Sequence, residues 1–398
     1  MPTFYNFREN GLDYSFDDIF VPADWFRDGG LWTWGYGNSG QLGDSTLNLN
    51  ILTPITTFSG GINWKQLSAG YRFTVAIKTD GTLWTWGNGA NGRLGNAVTT
   101  NVSTPVTTFA GGNNWKQVSA GKLQIAAIKT DGTLWTWGNA SNGALGNSVT
   151  TGIVSTPVTT FAGGTNWKQV SVGGNNLASI KTDGTLWTWG PSAAGQLGNA
   201  NTDLRSTPVT TFLGGTNWKQ VSAGDAHMSA IKTDGTLWTW GAVSSGRLGN
   251  AVTTGNRSTP VTTFLGGTNW KQVSCGYVHT AAIKTDGTLW IWGNGLTGRL
   301  GNGITTGNRS TPVTTFLGGT NWKQVSCGSG GSFADHTAAI KTDGTLWTWG
   351  LGGNGRLGNN ATTDRSTPVT TFSGGTNWKQ VSSGDSHTTA LTYIDPVI

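Results

Sequence analysis

Short runs in which large apolar and polar residues alternate, broken by glycine, fill most of this 398-residue chain. In Trp218-Lys219-Gln220-Val221-Ser222 the alternation has period two and Ala223-Gly224 ends it with a turn, so the run reads as a β-strand. His227-Met228-Ser229-Ala230-Ile231-Lys232 makes a second strand. Thr233-Asp234-Gly235 then forms a short hairpin loop, its glycine supplying a positive φ. The chain returns through Thr236-Leu237-Trp238-Thr239-Trp240, whose two tryptophans share one face because strand side chains alternate. After a glycine-rich loop, Ser258 to Phe264 reads as a further strand, which Pro260 confines to a sheet edge or a strand start. Helical periodicity is absent.

This unit recurs. Leu-Trp-Thr-Trp-Gly begins at Leu31, Leu83, Leu134, Leu186, Leu237, Leu289 and Leu346, with Ile291 replacing the threonine in the sixth copy. The intervals of 52, 51, 52, 51, 52 and 57 residues mark a repeat array, not the two or three domains that length alone predicts. Seven units of three to four antiparallel strands predict an all-β fold, a seven-bladed β-propeller of four-stranded blades. A solenoid would also stack repeats, but it needs a capping unit at each end. The ends here complement one another instead. The first copy lacks the strand that precedes it elsewhere and the last unit stops after His387-Thr388-Thr389-Ala390-Leu391-Thr392. Pairing of 387–392 with 31–35 closes the ring by a clasp between the N- and C-terminal strands. The expected organisation is a non-repeat arm over 1–30, the propeller over 31–394 and a tail over 395–398.

Glycine, at 63 residues, is abundant enough to raise the question of disorder, but it falls at fixed offsets between aromatic and β-branched runs and so marks turns. The formal charge of +6 is uneven: residues 1–30 carry Arg8 and Arg27 against Glu9, Asp13, Asp17, Asp18, Asp24 and Asp28, a net of −4, which leaves +10 for the rest. Most lysines occupy two repeated slots, Lys-Thr-Asp-Gly and Trp-Lys-Gln, which spreads their charge around a ring as solvated surface. Nucleic-acid binding needs a basic patch clustered on one face and is not expected. Cys275 and Cys327 share one slot, filled by Ala, Val or Ser elsewhere, which reads as tight packing and not as a disulfide or metal framework. Met1-Pro2-Thr3-Phe4-Tyr5 does not begin a secretory signal and no apolar stretch is long enough to span a membrane, so synthesis in the cytoplasm is expected.

The run Leu83 to Gly95, then Ser103-Thr104-Pro105, together with Val273 to Ile283, resembles the repeat of the regulator of chromosome condensation family. The resemblance spans about residues 31–394. It implies a seven-bladed propeller with a terminal clasp, and function through protein–protein contacts made by loops on a propeller face. Members of that family include a nucleotide exchange factor for a small nuclear GTPase, ubiquitin-ligase modules and an inhibitor of β-lactamase, so the fold does not fix the function. The head Tyr14-Ser15-Phe16-Asp17-Asp18-Ile19-Phe20 also resembles leaders of tailed-phage structural proteins.

Catalytic chemistry finds little support. Glu9 is the only glutamate, and Asp80, Asp131, Asp183, Asp234, Asp286 and Asp343 serve the hairpin turn. His227, His279, His336 and His387 fill one slot that holds Phe73, Gln124 and Asn176 in other units, which points to packing. Asp225-x-His227 and Asp385-x-His387 offer acid–base pairs without a nucleophile. No catalytic residue, metal site or cofactor is expected. Partner-binding candidates are the loop arginines Arg93, Arg247, Arg299 and Arg356, then Arg205, Arg257, Arg309 and Arg365 ahead of Ser-Thr-Pro, since arginine favours interfaces. Phe333 and Asp335 join them from an insertion, 329–335, that lengthens one unit. In the arm, Phe4, Tyr5, Phe7, Tyr14, Phe16, Asp17, Asp18, Phe20, Trp25 and Phe26 are candidates for anchoring, because so short a segment cannot build its own core. The expected function is a non-catalytic structural propeller, incorporated into a virion through its arm and touching neighbouring subunits or a host surface molecule. The competing expectation is a regulatory propeller that grips one globular partner.

Overall fold

A computed structural model describes residues 28–393, apart from 48, 59–60, 330 and 332–335. Seven four-stranded antiparallel sheets form a ring of blades. In blade 1 the strands run Trp64–Ala69, Phe73–Lys78, Leu83–Gly87 and Val102–Thr107, and neighbours in sequence pair in space. Blades 2 to 6 repeat this order from Trp115, Trp167, Trp218, Trp270 and Trp322. Trp-Lys-Gln strands of adjacent blades touch one another around the ring, so these are the innermost strands. The Pro-containing strand is the outer edge, as its missing N–H requires.

Blade 7 is built from both ends of the chain. Trp378–Ser383 and His387–Tyr393 come from the C-terminal side, Asp28–Gly35 and Ile51–Thr56 from the N-terminal side. Leu31 to Gly35 pair residue by residue with Leu391 to His387. The clasp predicted from the ends is therefore present.

Each blade carries three tryptophans, which accounts for 21 of the chain's 22. The inner-strand indole meets the blade's deeply buried one edge-on or tilted, with centroids 6.0–6.4 Å apart in all seven blades. The buried indole of each Leu-Trp-Thr-Trp donates Nε1–H to a main-chain carbonyl of the preceding blade at 2.9–3.1 Å, for example Trp137 to Arg93 and Trp34 to Arg356. Gly95 lies against that indole with φ near +66°, and a Cβ there would sit 2.6 Å from Trp137 Nε1, so the Arg-Leu-Gly motif wedges one blade onto the next.

A belt of polar side chains stitches the inner strands together. Gln66 donates to Val118 O (3.2 Å) and accepts from Val118 N (3.0 Å). The same two-point bridge runs from Gln117, Gln169, Gln220, Gln272, Gln324 and Gln380 to the following blade, and Gln380 closes the circle on Leu67. Two residues on, Ser68 Oγ accepts from Ala120 N (3.0 Å), again in every blade. Inner strands splay too far apart to pair directly, and these side chains supply the missing partners.

The Lys-Thr-Asp-Gly lysines differ from the solvated surface expected of them. Lys78, Lys129, Lys181, Lys232, Lys284 and Lys341 each place Nζ 4.3–5.2 Å from the centroids of two indoles of their own blade. The aliphatic stem covers apolar surface while the charge rests on the ring faces.

Candidate interaction surfaces

The turns between inner and second strands surround one mouth of the central channel, because they follow the innermost strands. They hold Tyr71-Arg72, Lys122-Leu123, Gly174-Asn175, Asp225-Ala226, Tyr277-Val278 and Asp385-Ser386, with the insertion in blade 6. No two are alike, whereas the hairpin Lys-Thr-Asp-Gly-Thr is identical in six blades. In the sequence only Asp225, Asp385 and the insertion stand out at these turns, and the other turn residues carry no motif.

Arg72 lies over the rings of Tyr36 and Tyr71, 5.1 Å from each centroid. Burial raises the pKa of Asp225 against the opposing pull of Lys122 and Arg247. Burial likewise raises Asp385, opposed by the Ser386 hydroxyl, Arg356, Arg72 and Lys122. Asp385 is 1% exposed; its Oδ2 accepts from Ser386 Oγ at 2.9 Å, and its Oδ1 has no hydrogen-bond partner among the described residues. Gly331, from the insertion, packs so closely on these groups that a Cβ would meet the Tyr71 ring at 2.6 Å and Asp385 Oδ1 at 2.7 Å. Gly331 therefore sits at the mouth where blades 7 and 1 meet. Phe333 and Asp335, and all ten arm candidates from Phe4 to Phe26, lie outside the described residues.

Arg93, Arg247, Arg299 and Arg356 do not fit the role of partner contacts. They are 3–8% exposed and have little surface to offer. Their Nε donates to a carbonyl three residues back. Further donors reach the turns: Arg93 Nη1 to Tyr71 O and Lys122 O, Arg247 Nη1 to Tyr277 O, and Arg356 Nη1 to Asp385 O. Burial lowers Arg93 to about 10. Arg93, Arg247 and Arg356 hold the mouth turns from beneath. Arg205, Arg257, Arg309 and Arg365 stand differently, at the first residue of outer strands on the same side; the first three are half-buried and Arg365 is exposed.

The histidine slot is structural. His227, His279, His336 and His387 are fully buried, and each Nε2 meets a threonine hydroxyl of the next blade at 2.8–3.0 Å (Thr280, Thr337, Thr388 and Thr74). Each Nδ1 lacks a hydrogen-bond partner among the described residues, so neither Asp225 nor Asp385 forms the acid–base pair that its spacing allowed. Burial lowers all four, to about 3 for His279 and His387, and keeps the rings neutral. Burial also pushes the Cys275 thiol up to about 11, consistent with a packing slot.

The sequence profile of the RCC1-like domain matches residues 25–334, and that of the regulator of chromosome condensation (RCC1) repeat matches 343–391. The chain belongs to the RCC1-like family. The ultraviolet-B receptor UVR8 of Arabidopsis thaliana is 30% identical over 340 residues, 84% of this chain and 76% of the receptor. The human E3 ubiquitin-protein ligase HERC2 is 28% identical over 387 residues, 94% of this chain and only 8% of the ligase. Among solved structures, human WBSCR16 superposes with a TM-score of 0.80 at 22% identity, covering 92% of this chain and 99% of its own. Prp20p of Saccharomyces cerevisiae, described with its binding to Gsp1p and histones, gives 0.77 at 18%, covering 93% of each chain. At such identities the two structures show the fold.

The opposite side of this RCC1-like ring carries a second surface. Phe58, Phe109, Phe161, Phe212, Phe264, Phe316 and Phe372 are 65–71% exposed, one per blade just past the outer strand. The alternation that placed Phe264 in a strand overshoots: the strand ends at Thr262, Thr263 turns inward and the phenylalanine turns out. On the innermost strands of that side, Lys65, Lys116, Lys168, Lys219, Lys271 and Lys323 are exposed and Lys379 is half-buried. The ring thus shows a varied mouth on one side and a near-sevenfold face on the other.

Proposed function

We propose that this propeller is a non-catalytic regulatory module that grips one globular protein through the varied mouth, with Tyr71, Arg72, Lys122 and Tyr277 as central contacts and Arg205, Arg257, Arg309 and Arg365 at the periphery. The observation that carries the reading is where the repeats stop being alike: a sevenfold scaffold needs no variation at its mouth, and a single asymmetric partner does. Aromatic and arginine side chains held on rigid supports suit such a contact, because little freedom is lost on binding. The buried arginines provide that support. The relatives favour the same reading, being a light receptor, a ubiquitin ligase and a protein with binding to Gsp1p and histones.

The virion reading rests on the acidic-aromatic head alone and draws no support from these relatives. The two readings separate by co-purification from the native source. The triple variant Tyr71→Ala, Arg72→Glu, Tyr277→Ala should lose the partner at least tenfold with an unchanged melting temperature, while Phe109→Ser with Phe161→Ser on the other side should retain it. Full retention by the mouth variant, together with loss on deletion of residues 1–27, would transfer the function to the arm.

A further inference from the structure

Among the described residues, six blades contain a filled cation site and the seventh contains the same site without its cation. In blades 1 to 6 the lysine ammonium rests on two indoles, and the half-buried indole donates Nε1–H to the threonine that ends the hairpin, as Trp84 does to Thr82, at 2.8–3.0 Å. In blade 7 the chain ends replace that hairpin. Thr392 stands opposite Trp378 where Lys78 stands opposite Trp64, and Gly30 precedes Trp32 where Thr82 precedes Trp84. The rings themselves are unmoved: Trp32 and Trp378 lie 6.1 Å apart at 70°, against 6.3 Å and 77° for Trp84 and Trp64. Trp32 Nε1 is buried with no hydrogen-bond partner among the described residues. Beside it opens a cavity of about 330 Å³ lined by Gly30, Trp32, Thr56, Ile62, Thr392 and Tyr393.

We infer that this cavity binds a small organic ammonium ion carrying an oxygen acceptor, the chemistry shared by choline and by a lysine residue of a partner. The two missing groups define the ligand. An ammonium replaces the lysine on the indole face, where a cation is attracted by the ring quadrupole. An oxygen replaces the threonine hydroxyl and relieves the buried Trp32 N–H, whose lack of a partner is costly. Tyr393, which lines the cavity, has Lys323 and Lys379 5.5 and 5.7 Å from its ring centroid.

Titration of the intact chain with choline, read by tryptophan fluorescence and calorimetry, tests this directly. One equivalent should bind, and the neutral carbon isostere dimethylbutanol should bind about tenfold more weakly. Thr392→Lys should fill the site from within and abolish choline binding. Lys232→Thr with Thr236→Gly should recreate both vacancies in blade 4 and raise the stoichiometry from one to two, which keeps a test in hand if Thr392→Lys fails to fold. A lysine-containing peptide binding where choline does not would assign the site to a partner's side chain within the same chemistry. Equal binding of the isostere, or retention of choline by the folded Thr392→Lys variant, would overturn the inference.

Discussion

Blade 4 and the clasp blade are built on one plan with one difference. In blade 4 a short hairpin joins the second and third strands, whereas in the clasp their counterparts lie at opposite ends of the chain. Inside the sheets the two cannot be told apart: Trp240 and Trp34 each donate to the preceding blade at 2.9 Å, and Gln220 and Gln380 make the same bridge. The hairpin end is where they part, through the loss of the lysine and the threonine. Packing and hydrogen bonding reproduce a blade without covalent continuity; continuity decides only what finishes its rim.

The strongest way to break this equivalence is Trp34→Ala against Trp240→Ala. Each removes a fully buried indole and should cost about 3–5 kcal/mol in chemical denaturation. Only the clasp variant should also lose hydrogen-exchange protection over 28–35 and 387–393, because no hairpin holds those strands while the rest stays folded. Equal protection in both would show that the clasp is not the weak joint.

Acid should act next, through His387. Its ring is neutral when folded because burial, then the Arg356 charge, lowers it to about 3, while the unfolded ring titrates near 6.5. Below about pH 6.5 the unfolded state therefore binds the extra proton, and stability falls as pH drops toward 3 by about 1.4 kcal/mol per pH unit for each such histidine. His387→Phe, which copies Phe73 of blade 1, should remove one share of that slope in urea titrations at pH 6.5 and 4.5. An unchanged slope would refute the assignment.

A smaller effect is expected from Gln380→Ala, which cuts the clasp's bridge to Leu67 and should cost about 1–3 kcal/mol for two hydrogen bonds. Gln220→Ala should cost the same if the belt is uniform. Phe264→Ser should leave the melting temperature within about a degree, since the ring is mostly in water, and should raise solubility.

The period, the strand order and the clasp were legible because each is written within one unit or in the mismatch between the ends. What sequence reading missed lies between units. Arg93 in a glycine-rich loop reads as exposed, yet its slot accepts Gln41, Ala144 and Gln196, a tolerance of neutral residues that fits an inward position. Gln66 reads as the polar half of an alternating strand, and nothing within its own repeat reveals that its partner is Val118, 52 residues on. Phe264 reads as part of a strand because alternation does not mark where pairing stops. The mouth turns are silent in the sequence for a related reason: variation among repeats becomes meaningful only once the fold shows that the variable positions converge.

The glutamine belt has a consequence for how such a chain can change over generations. Each glutamine reads only the main-chain N–H and C=O of its neighbour, so the belt itself carries no address specifying which blade must follow. A duplicated or deleted unit leaves every glutamine joint chemically complete. The histidine slot is more particular, because His387 meets Thr74 of blade 1 and would face Ile125 if blade 2 took that place. Lineage can therefore reshuffle the blades as far as the belt is concerned, and the histidine–threonine joints set which neighbours are interchangeable.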